Sequence, residues 1–188
     1  MVRELKPLNG SLVLDLATGT GDSAIGLVKE GVTVAGLDLS LNMLLKAKKK
    51  IPQSNFFALV GSAYHIQFKD NTFDGMTCAF GIRNMHETKA ALKEIFRVLK
   101  KGGKAVFLEF SMPANIMRRP YRFYLKRIIP MVSSFFSIRE AYEYLGDSIE
   151  KFYSPEEFAR CITESGFNNC EMRPLSMGCV YIHKAYKK

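Results

Sequence analysis

A short apolar run ends in a glycine turn near the start of the chain, and this junction constrains the fold more than any other segment. Leu12–Leu16 has the pattern of a buried parallel strand, and the letters ATGTGD follow it. Gly19 and Gly21 allow the positive φ angles and the close backbone approach that a tight turn needs. Asp22–Glu30 has the pattern of a helix, whose first N–H groups and positive dipole end point toward a ligand over the turn. The junction therefore predicts a nucleotide-type cofactor site.

Two classes of cofactor fit this junction. Residues 19–24 match the dinucleotide pattern G-x-G-x-x-G/A, and Asp38 closes the next predicted strand, where it suits the adjacent ribose hydroxyls of NAD or S-adenosylmethionine. Asp15 favours S-adenosylmethionine, because a second carboxylate suits the cationic amino-acid half of that cofactor and would repel a pyrophosphate. The alternative role for Asp15 and Asp22 is to cap a turn and a helix.

Composition and charge bound the fold class and the partners. The 188 residues, 47% hydrophobic and 24% charged, predict one globular domain over 1–188. The formal net charge of +9 favours an anionic partner, either nucleic acid or membrane headgroups. Cys78, Cys161, Cys170 and Cys179 lack C-x-x-C spacing, so we expect neither a metal site nor disulfides, and a reducing cytoplasm fits. No apolar run is long enough for a membrane span or a signal peptide.

The order of the predicted elements is that of a doubly wound fold. Strands alternate with helices through the first two-thirds of the chain, which is typical of a parallel sheet covered on both faces. Residues 101–104 are predicted to end the third helix, and Ser154 and Pro155 to begin the last one. We predict strands at 12–16, 32–38, 56–60, 73–79, 104–110, 167–173 and 178–185, and helices near 22–30, 40–50 and 88–101.

The final strand pair separates the two cofactor classes further. In small S-adenosylmethionine-dependent methyltransferases a terminal hairpin inserts the seventh strand antiparallel to the rest, and residues 173–178 supply a hairpin turn here. We therefore predict an α/β protein with a doubly wound, mostly parallel seven-stranded sheet whose last strand is antiparallel. This is the Rossmann-like methyltransferase fold.

Several longer segments resemble one methyltransferase family. Phe80–Asn84 and Tyr144–Ile149 are the specific ones, since generic methyltransferases share the glycine motif but lack these. The chain resembles the ubiquinone/menaquinone biosynthesis C-methyltransferases over nearly its whole length, and residues 121–130 look closer to the menaquinone branch. The resemblance rests on residues 15–22, 36–40, 71–74, 80–84, 108–113, 142–149 and 185–187.

The resemblance implies where S-adenosylmethionine binds. It places Thr20 and Asp38 on the cofactor and Ser62–Ala63 beside its adenine ring. Ser62 stands where the family usually has asparagine or aspartate, and Ala79 where some members have serine, so we expect weaker hydrogen bonding at both positions. The full predicted cofactor set is Asp15, Ala17, Gly19, Thr20, Gly21, Asp38, Leu39, Ser62, Ala63 and Ala79.

The resemblance also implies C-methylation of a prenylated quinol, either a naphthoquinol or a benzoquinol. This chemistry needs a nucleophilic ring carbon in line with the sulfonium methyl group, so the quinol must lose a phenolic proton. Arg83 and Asn84 follow the fourth strand, and a cation there would lower the pKa of the phenol, so we predict them as the catalytic pair. The proton acceptor stays open among His65, His86, Tyr144 and Asp147.

A basic amphipathic segment forms a predicted helical insertion at about 114–150. Between residues 114 and 138, arginines and lysines alternate with aliphatic and aromatic residues, as in a helix that lies among lipid headgroups. Such a helix would deliver a lipid-soluble quinol from an anionic membrane; the alternative is a lid helix that packs on the sheet. We accordingly predict a cytoplasmic protein with a peripheral contact at the inner face of the cytoplasmic membrane.

Other functions stay open beside this one. The alternatives are a methyltransferase for another small apolar acceptor, a cofactor-binding protein without turnover and, more distantly, a dehydrogenase. Family members usually carry a few tens of residues before the first strand, so this chain fits a truncated product, a fragment or an enzyme with an open pocket that a homodimer would cover. No Asn/Asp-Pro-Pro-Tyr/Phe motif follows the fourth strand, and we therefore expect no nucleic-acid substrate.

Overall fold

The computed structural model describes residues 1–113, 118–123 and 139–188. The helices in these ranges are α1 (Val2–Leu5), α2 (Asp22–Lys29), α3 (Leu41–Lys50), α4 (Thr88–Val98), α5 (Arg118–Phe123), α6 (Arg139–Lys151) and α7 (Pro155–Glu164). The strands are β1 (Leu12–Leu16), β2 (Thr33–Asp38), β3 (Phe56–Val60), β4 (Phe73–Ala79), β5 (Leu99–Phe110), β6 (Asn168–Leu175) and β7 (Val180–Tyr186). Two 3-10 turns are Ile82–Asn84 and Ser176–Gly178.

The strands form one seven-stranded sheet in the order β3-β2-β1-β4-β5-β7-β6. Strands β1 to β5 pair in parallel, and β7 is antiparallel to both of its neighbours, β5 and β6. The predicted mostly parallel sheet with an antiparallel last strand is thereby confirmed. The chain moves from β1 to one edge of the sheet and then returns to β4, so the order reverses between β1 and β4. In folds of this kind a ligand crevice lies outside the carboxyl ends of the strands at that reversal.

Apolar side chains bury the sheet on both faces, which explains why its central strands read as continuous apolar runs. One face packs against α4 and α7, where Ile95 and Phe158 are fully buried. The other face packs against α1, α2 and α3, through Leu5, Leu27 and Ala47. The sheet is therefore a rigid support for the loops at its carboxyl edge.

Local capping signals fix two of the helix starts. The Ser154 side chain accepts a hydrogen bond from the Glu157 N–H, and the Glu157 side chain accepts one from the Ser154 N–H, with Pro155 at the first helical position of α7. The Ser40 side chain accepts a hydrogen bond from the Met43 N–H at the start of α3. Both starts agree with the sequence prediction.

Three predicted boundaries are wrong. The third predicted helix, near 88–101, ends at Val98, and β5 begins at Leu99 instead of residue 104. Leu99 pairs with Phe73 across the sheet, and the register shifts between Phe73 and Gly75, so the strand absorbs the glycine pair that was expected to form a turn. The predicted hairpin turn at 173–178 is shorter, because β6 continues to Leu175.

Helices α5 and α6 lie within the predicted insertion at about 114–150. Most of the basic amphipathic segment at 114–138, including Lys126 and Arg127, lies outside the described residues. Within the described part of that segment, Arg119 is exposed and Phe123 is 61% exposed. No helix among the described residues is both long and apolar enough to cross a membrane.

Candidate active site

Asp38 ends β2 at the carboxyl edge and is held by two backbone groups. Its Oδ2 atom accepts the Gly19 N–H over 2.8 Å, and its Oδ1 atom accepts the Ser40 N–H over 2.8 Å. A carboxylate has about four acceptor positions, so two remain for other donors. The side chain is half-buried, and the next residue, Leu39, is 76% exposed. The Asp38 carboxylate can therefore accept hydrogen bonds from hydroxyl groups, and the exposed Leu39 side chain provides an apolar surface beside it.

The glycine loop between β1 and α2 needs its glycines for two different reasons. Gly19 has φ 55°, and a Cβ atom there would meet nothing within 4 Å, so the position combines a left-handed backbone with open space for a ligand. Gly21 has φ 83°, and its Cβ would lie 2.6 Å from the Ile51 side chain. Ala17 also has a left-handed backbone, with φ 53°, which is uncommon for a residue other than glycine.

Asp15 lies under this loop rather than in the open. Its side chain is 1% exposed, and its two oxygens accept the hydroxyl groups of Thr18 and Thr77, each over 2.6 Å. Burial raises the pKa of Asp15 above its ordinary value, although the threonine hydrogen bonds act in the opposite direction. The Ser23 hydroxyl is also buried, and its interaction with the Asp15 carboxylate likewise acts to lower that pKa. A buried acid and a buried serine hydroxyl thus lie together beneath the loop.

A cleft of about 810 Å³ opens beside the loop. The loop side of the cleft is polar and includes Asp15, Gly19 and Thr20. The segments from β4 to β7 also line the cleft, through Arg173 and through a group of apolar side chains: Ala79, Phe80, Leu108, Leu175 and Ile182. A cleft lined by both polar and apolar groups can hold a polar cofactor next to an apolar acceptor.

The loop after β3 lies next to Asp38. The Gly61 N–H donates to the Asp38 carbonyl over 3.0 Å, so Ser62 and Ala63 follow directly from that contact. The Ser62 hydroxyl accepts the Tyr64 N–H over 3.2 Å, and Ala63 is buried. These two residues therefore lie where an adenine ring next to Leu39 would be expected, and their role stays a prediction.

Arg83 and Asn84 occupy the 3-10 turn after β4 and have different surroundings. The Arg83 Nη1 atom donates to Glu109 Oε1 over 2.7 Å and to the Phe80 carbonyl over 2.6 Å. Asn84 is exposed, and its Oδ1 atom accepts the Tyr144 hydroxyl of α6 over 3.1 Å. The structure thus brings Arg83, Asn84 and Tyr144 together at the carboxyl edge, but the Arg83 guanidinium is already paired with a carboxylate.

Sequence reasoning missed Glu109 as a functional candidate. Glu109 is 1% exposed near the end of β5, and burial raises its pKa, although Arg83 lowers it. The available signal was an acid at an inward position of an otherwise apolar strand. Among the four candidates for the proton acceptor, only Tyr144 makes a hydrogen bond to the predicted catalytic pair; His65, His86 and Asp147 are exposed.

Comparisons with known proteins show the family and the fold of the chain. The sequence model described as the ubiE/COQ5 methyltransferase family matches residues 1–187. A Rickettsia bellii protein named ubiquinone/menaquinone biosynthesis C-methyltransferase UbiE is 40% identical over 198 residues, which cover 99% of this chain and 79% of that protein. A Corynebacterium glutamicum demethylmenaquinone methyltransferase is 39% identical over 98% of this chain and 78% of its own length. The fold is shared with an S-adenosylmethionine-dependent methyltransferase from Aquifex aeolicus, with TM-score 0.72 and 20% identity over 98% of this chain and 86% of the other.

Proposed function

The chain belongs to the ubiE/COQ5 methyltransferase family and is an S-adenosylmethionine-dependent methyltransferase, and from this premise we propose that it methylates a ring carbon of a prenylated quinol. The observation that carries the choice of acceptor is the set of apolar side chains from β4 to β7 that line the same cleft as the glycine loop. An aromatic acceptor with an apolar tail would bury its surface there. The names of the Rickettsia bellii and Corynebacterium glutamicum relatives support a quinone nucleus.

The residues at the loop fit S-adenosylmethionine. We propose that the free acceptor positions of Asp38 take the two ribose hydroxyls and that Leu39, with Ser62 and Ala63, borders the adenine ring. Gly19 has the open space that close approach of a ligand requires. When bound, S-adenosylmethionine supplies an electrophilic methyl group on a positively charged sulfur.

The amino-acid half of the cofactor belongs on the polar side of the cleft. Asp15 provides negative charge beneath the loop, and the buried Ser23 hydroxyl lies beside it. Asp15 also holds the loop through Thr18 and Thr77, so its carboxylate has both an orienting and an electrostatic role. The predicted cofactor residues Ala17, Thr20, Gly21 and Ala79 complete this part of the site.

The chain's contribution to the reaction is mostly position. As the ring carbon forms its bond to the methyl group, the bond between that methyl group and sulfur would break and the acceptor would give up one phenolic proton. The hydrogen of the methylated carbon would then move to the oxygen, which restores the aromatic quinol. A well-held reactant accelerates such a displacement strongly. We propose that Asn84, which is exposed, borders the acceptor, and that Arg83 adds positive potential tempered by Glu109. Arg83 and Asn84 thus remain the predicted catalytic pair, and the Arg83 guanidinium is held in place by Glu109 and the Phe80 carbonyl.

Contact with an anionic membrane surface is part of the proposal, because a prenylated quinol resides in a bilayer. The exposed Arg119 and Phe123 on α5 combine a cation with an aromatic ring, which suits the headgroup region. Flotation with anionic and with neutral vesicles at low salt tests this contact. If the chain floated with neither kind of vesicle, the result would contradict it. A homodimer that covers the cleft is a separate proposal, tested by the sedimentation of the chain with and without quinol.

The central experiment uses the purified chain, S-adenosylmethionine and demethylmenaquinol in detergent. We expect a product heavier by one methyl group, whereas menaquinol, whose ring carbon is already substituted, should give none. A benzoquinol acceptor in a parallel reaction distinguishes the two quinone nuclei. Methylation of a simple phenol but of neither quinol would favour another small apolar acceptor, and cofactor binding without any product would contradict the proposal.

A further inference from the structure

A buried ion pair joins three segments at the carboxyl edge of the sheet. The Arg83 and Glu109 side chains are 9% and 1% exposed, and their closest atoms are 2.7 Å apart. The Arg83 Nε atom also donates to the Ser148 hydroxyl of α6 over 3.3 Å. The pair therefore ties the end of β5 to the 3-10 turn after β4 and to the helix that faces that turn.

Glu109 holds the backbone of Arg83 as well as its side chain. Its Oε2 atom accepts the Arg83 N–H over 3.2 Å, while Oε1 accepts both the guanidinium and the Phe110 N–H, the latter over 2.9 Å. Fixing one residue at both its amide and its guanidinium leaves the turn little freedom. Asn84 is the next residue, so its position follows from that of Arg83.

The same contacts order one wall of the cleft. The Phe80 carbonyl accepts the Arg83 guanidinium, and the Phe80 ring packs on the Phe110 ring with centroids 4.5 Å apart. The Arg83 Cζ atom lies 5.3 Å from the centroid of the Phe110 ring. Phe80 lines the cleft. Glu109 thus reaches the cleft through Arg83 and Phe80 without lining it.

A buried acid is a poor choice for stability alone. An apolar pair of similar volume often replaces a buried ion pair without loss of stability, whereas the geometry of a carboxylate and a guanidinium is directional. The directional contacts here converge on the residues that border the cleft and α6.

From this geometry we infer that Glu109 is a positioning residue for methyl transfer, which acts through Arg83 to hold Phe80 at the cleft and Asn84 against α6. The inference rests on the proposed function only for the identity of the acceptor. It does not require Arg83 to touch the acceptor, since the fixed turn is what Glu109 provides.

The kinetic test compares Glu109→Gln and Glu109→Ala with the wild type. Glu109→Gln is isosteric and keeps one acceptor oxygen, so we expect an intermediate kcat. Glu109→Ala should lower kcat about 100-fold through misplacement of Phe80 and Asn84. The KM for S-adenosylmethionine should stay within about threefold, because the loop at Asp38 is untouched. Equal kcat in folded wild type and Glu109→Ala would overturn the inference, and so would an effect confined to the KM of the cofactor.

The matched control is Asp74→Asn. Asp74 also accepts a backbone N–H, that of Leu12 over 2.9 Å, and a cation, Lys100 over 2.6 Å, but it lies at the opposite edge of the sheet. We expect this variant to retain kcat even where its thermal midpoint falls. If kcat fell in Asp74→Asn as it does in Glu109→Gln, reduced stability rather than position would be the cause, and the inference would fail.

Amide hydrogen exchange reads the same contacts without turnover. In the wild type the Arg83 amide should be protected, and in Glu109→Ala it should exchange at least about tenfold faster while amides of β1 are unchanged. An unprotected wild-type Arg83 amide overturns the inference even if neither variant folds. Failure of the proposed function would instead appear as an absence of quinol methylation in the wild type with this protection intact.

Discussion

Replacing Asp38 by asparagine should separate cofactor binding from folding. The carboxylate accepts two backbone N–H groups, from Gly19 and Ser40, each over 2.8 Å. Asparagine has one acceptor oxygen, so its amide nitrogen must face one of these N–H donors. The variant therefore lacks one hydrogen bond at the loop and, in the proposed site, one hydrogen bond to a ribose hydroxyl.

The expected magnitude follows from these two hydrogen bonds. A hydrogen bond to a charged group contributes about 1.5–3 kcal/mol. Without its hydrogen bond to the ribose, the variant should bind S-adenosylmethionine more weakly by the same amount, which is roughly 10- to 150-fold in Kd. The absent hydrogen bond at the half-buried loop lowers the unfolding free energy by about 1–2 kcal/mol, which leaves the chain folded.

Titration calorimetry gives the Kd, and urea unfolding gives the stability. Asp22→Asn is the control, because Asp22 begins α2 directly after the same loop and accepts hydrogen bonds from Thr20 and Lys50, while its side chain is 79% exposed. An exposed pair contributes little, so its Kd should stay within about threefold of the wild type. A folded Asp38→Asn with wild-type affinity, or equally weakened binding in both variants, would refute the assignment of Asp38 to the cofactor.

Two further predictions concern buried titratable groups. His183 has Nε2 2.9 Å from the Pro155 carbonyl and a buried Nδ1 without a partner among the described residues, and burial lowers its pKa below the usual 6.5. As the pH falls below 6.5, the imidazole of His183 therefore takes up a proton in the unfolded chain before it does so in the folded one. The unfolding free energy should decrease by up to about 1.4 kcal/mol per pH unit. Urea unfolding of His183→Phe between about pH 5 and 8 should show a flatter dependence of the unfolding free energy on pH, and an unchanged dependence would contradict this prediction. Burial also raises the pKa of Asp15 in the folded chain above its usual 3.8. At a pH above the folded-state pKa, the charged carboxylate therefore lowers the unfolding free energy, and this destabilisation disappears as the pH falls through that pKa and the carboxylate is protonated. Asp15→Asn should accordingly keep or increase the unfolding free energy at neutral pH while S-adenosylmethionine binds more weakly in calorimetry, and unchanged binding would exclude the proposed electrostatic role.

Local sequence signals predicted the parts of the fold that local interactions determine. The start of α7 follows from Ser154, Pro155 and Glu157, whose contacts span four residues. The β1 strand and its glycine turn are similarly local. By contrast, β5 begins at Leu99 because that residue pairs with Phe73, 26 positions earlier in the chain, and no local pattern announces such a pairing.

The candidate site divides in the same way. Asp38 and the glycine loop could be predicted because motif spacing places both at the carboxyl edge of adjacent parallel strands, and the structure joins them at 2.8 Å. The partner of Arg83 could not, since Glu109 is 26 residues away and belongs to another strand. From the sequence alone, Arg83 is an unpaired cation next to the predicted methyl acceptor. The fold shows that the Glu109 carboxylate compensates its charge.

Asp15 and Glu109 are the buried acids among the described residues, and both hold segments of the proposed site. Asp15 accepts hydroxyls from the cofactor loop and from β4, and Glu109 accepts the turn that follows β4. Burial raises the pKa of each, so neither charge favours the folded state on its own account. Because apolar residues would fill these positions without that disadvantage, the two acids are better explained by the loops that they orient than by the stability of the core.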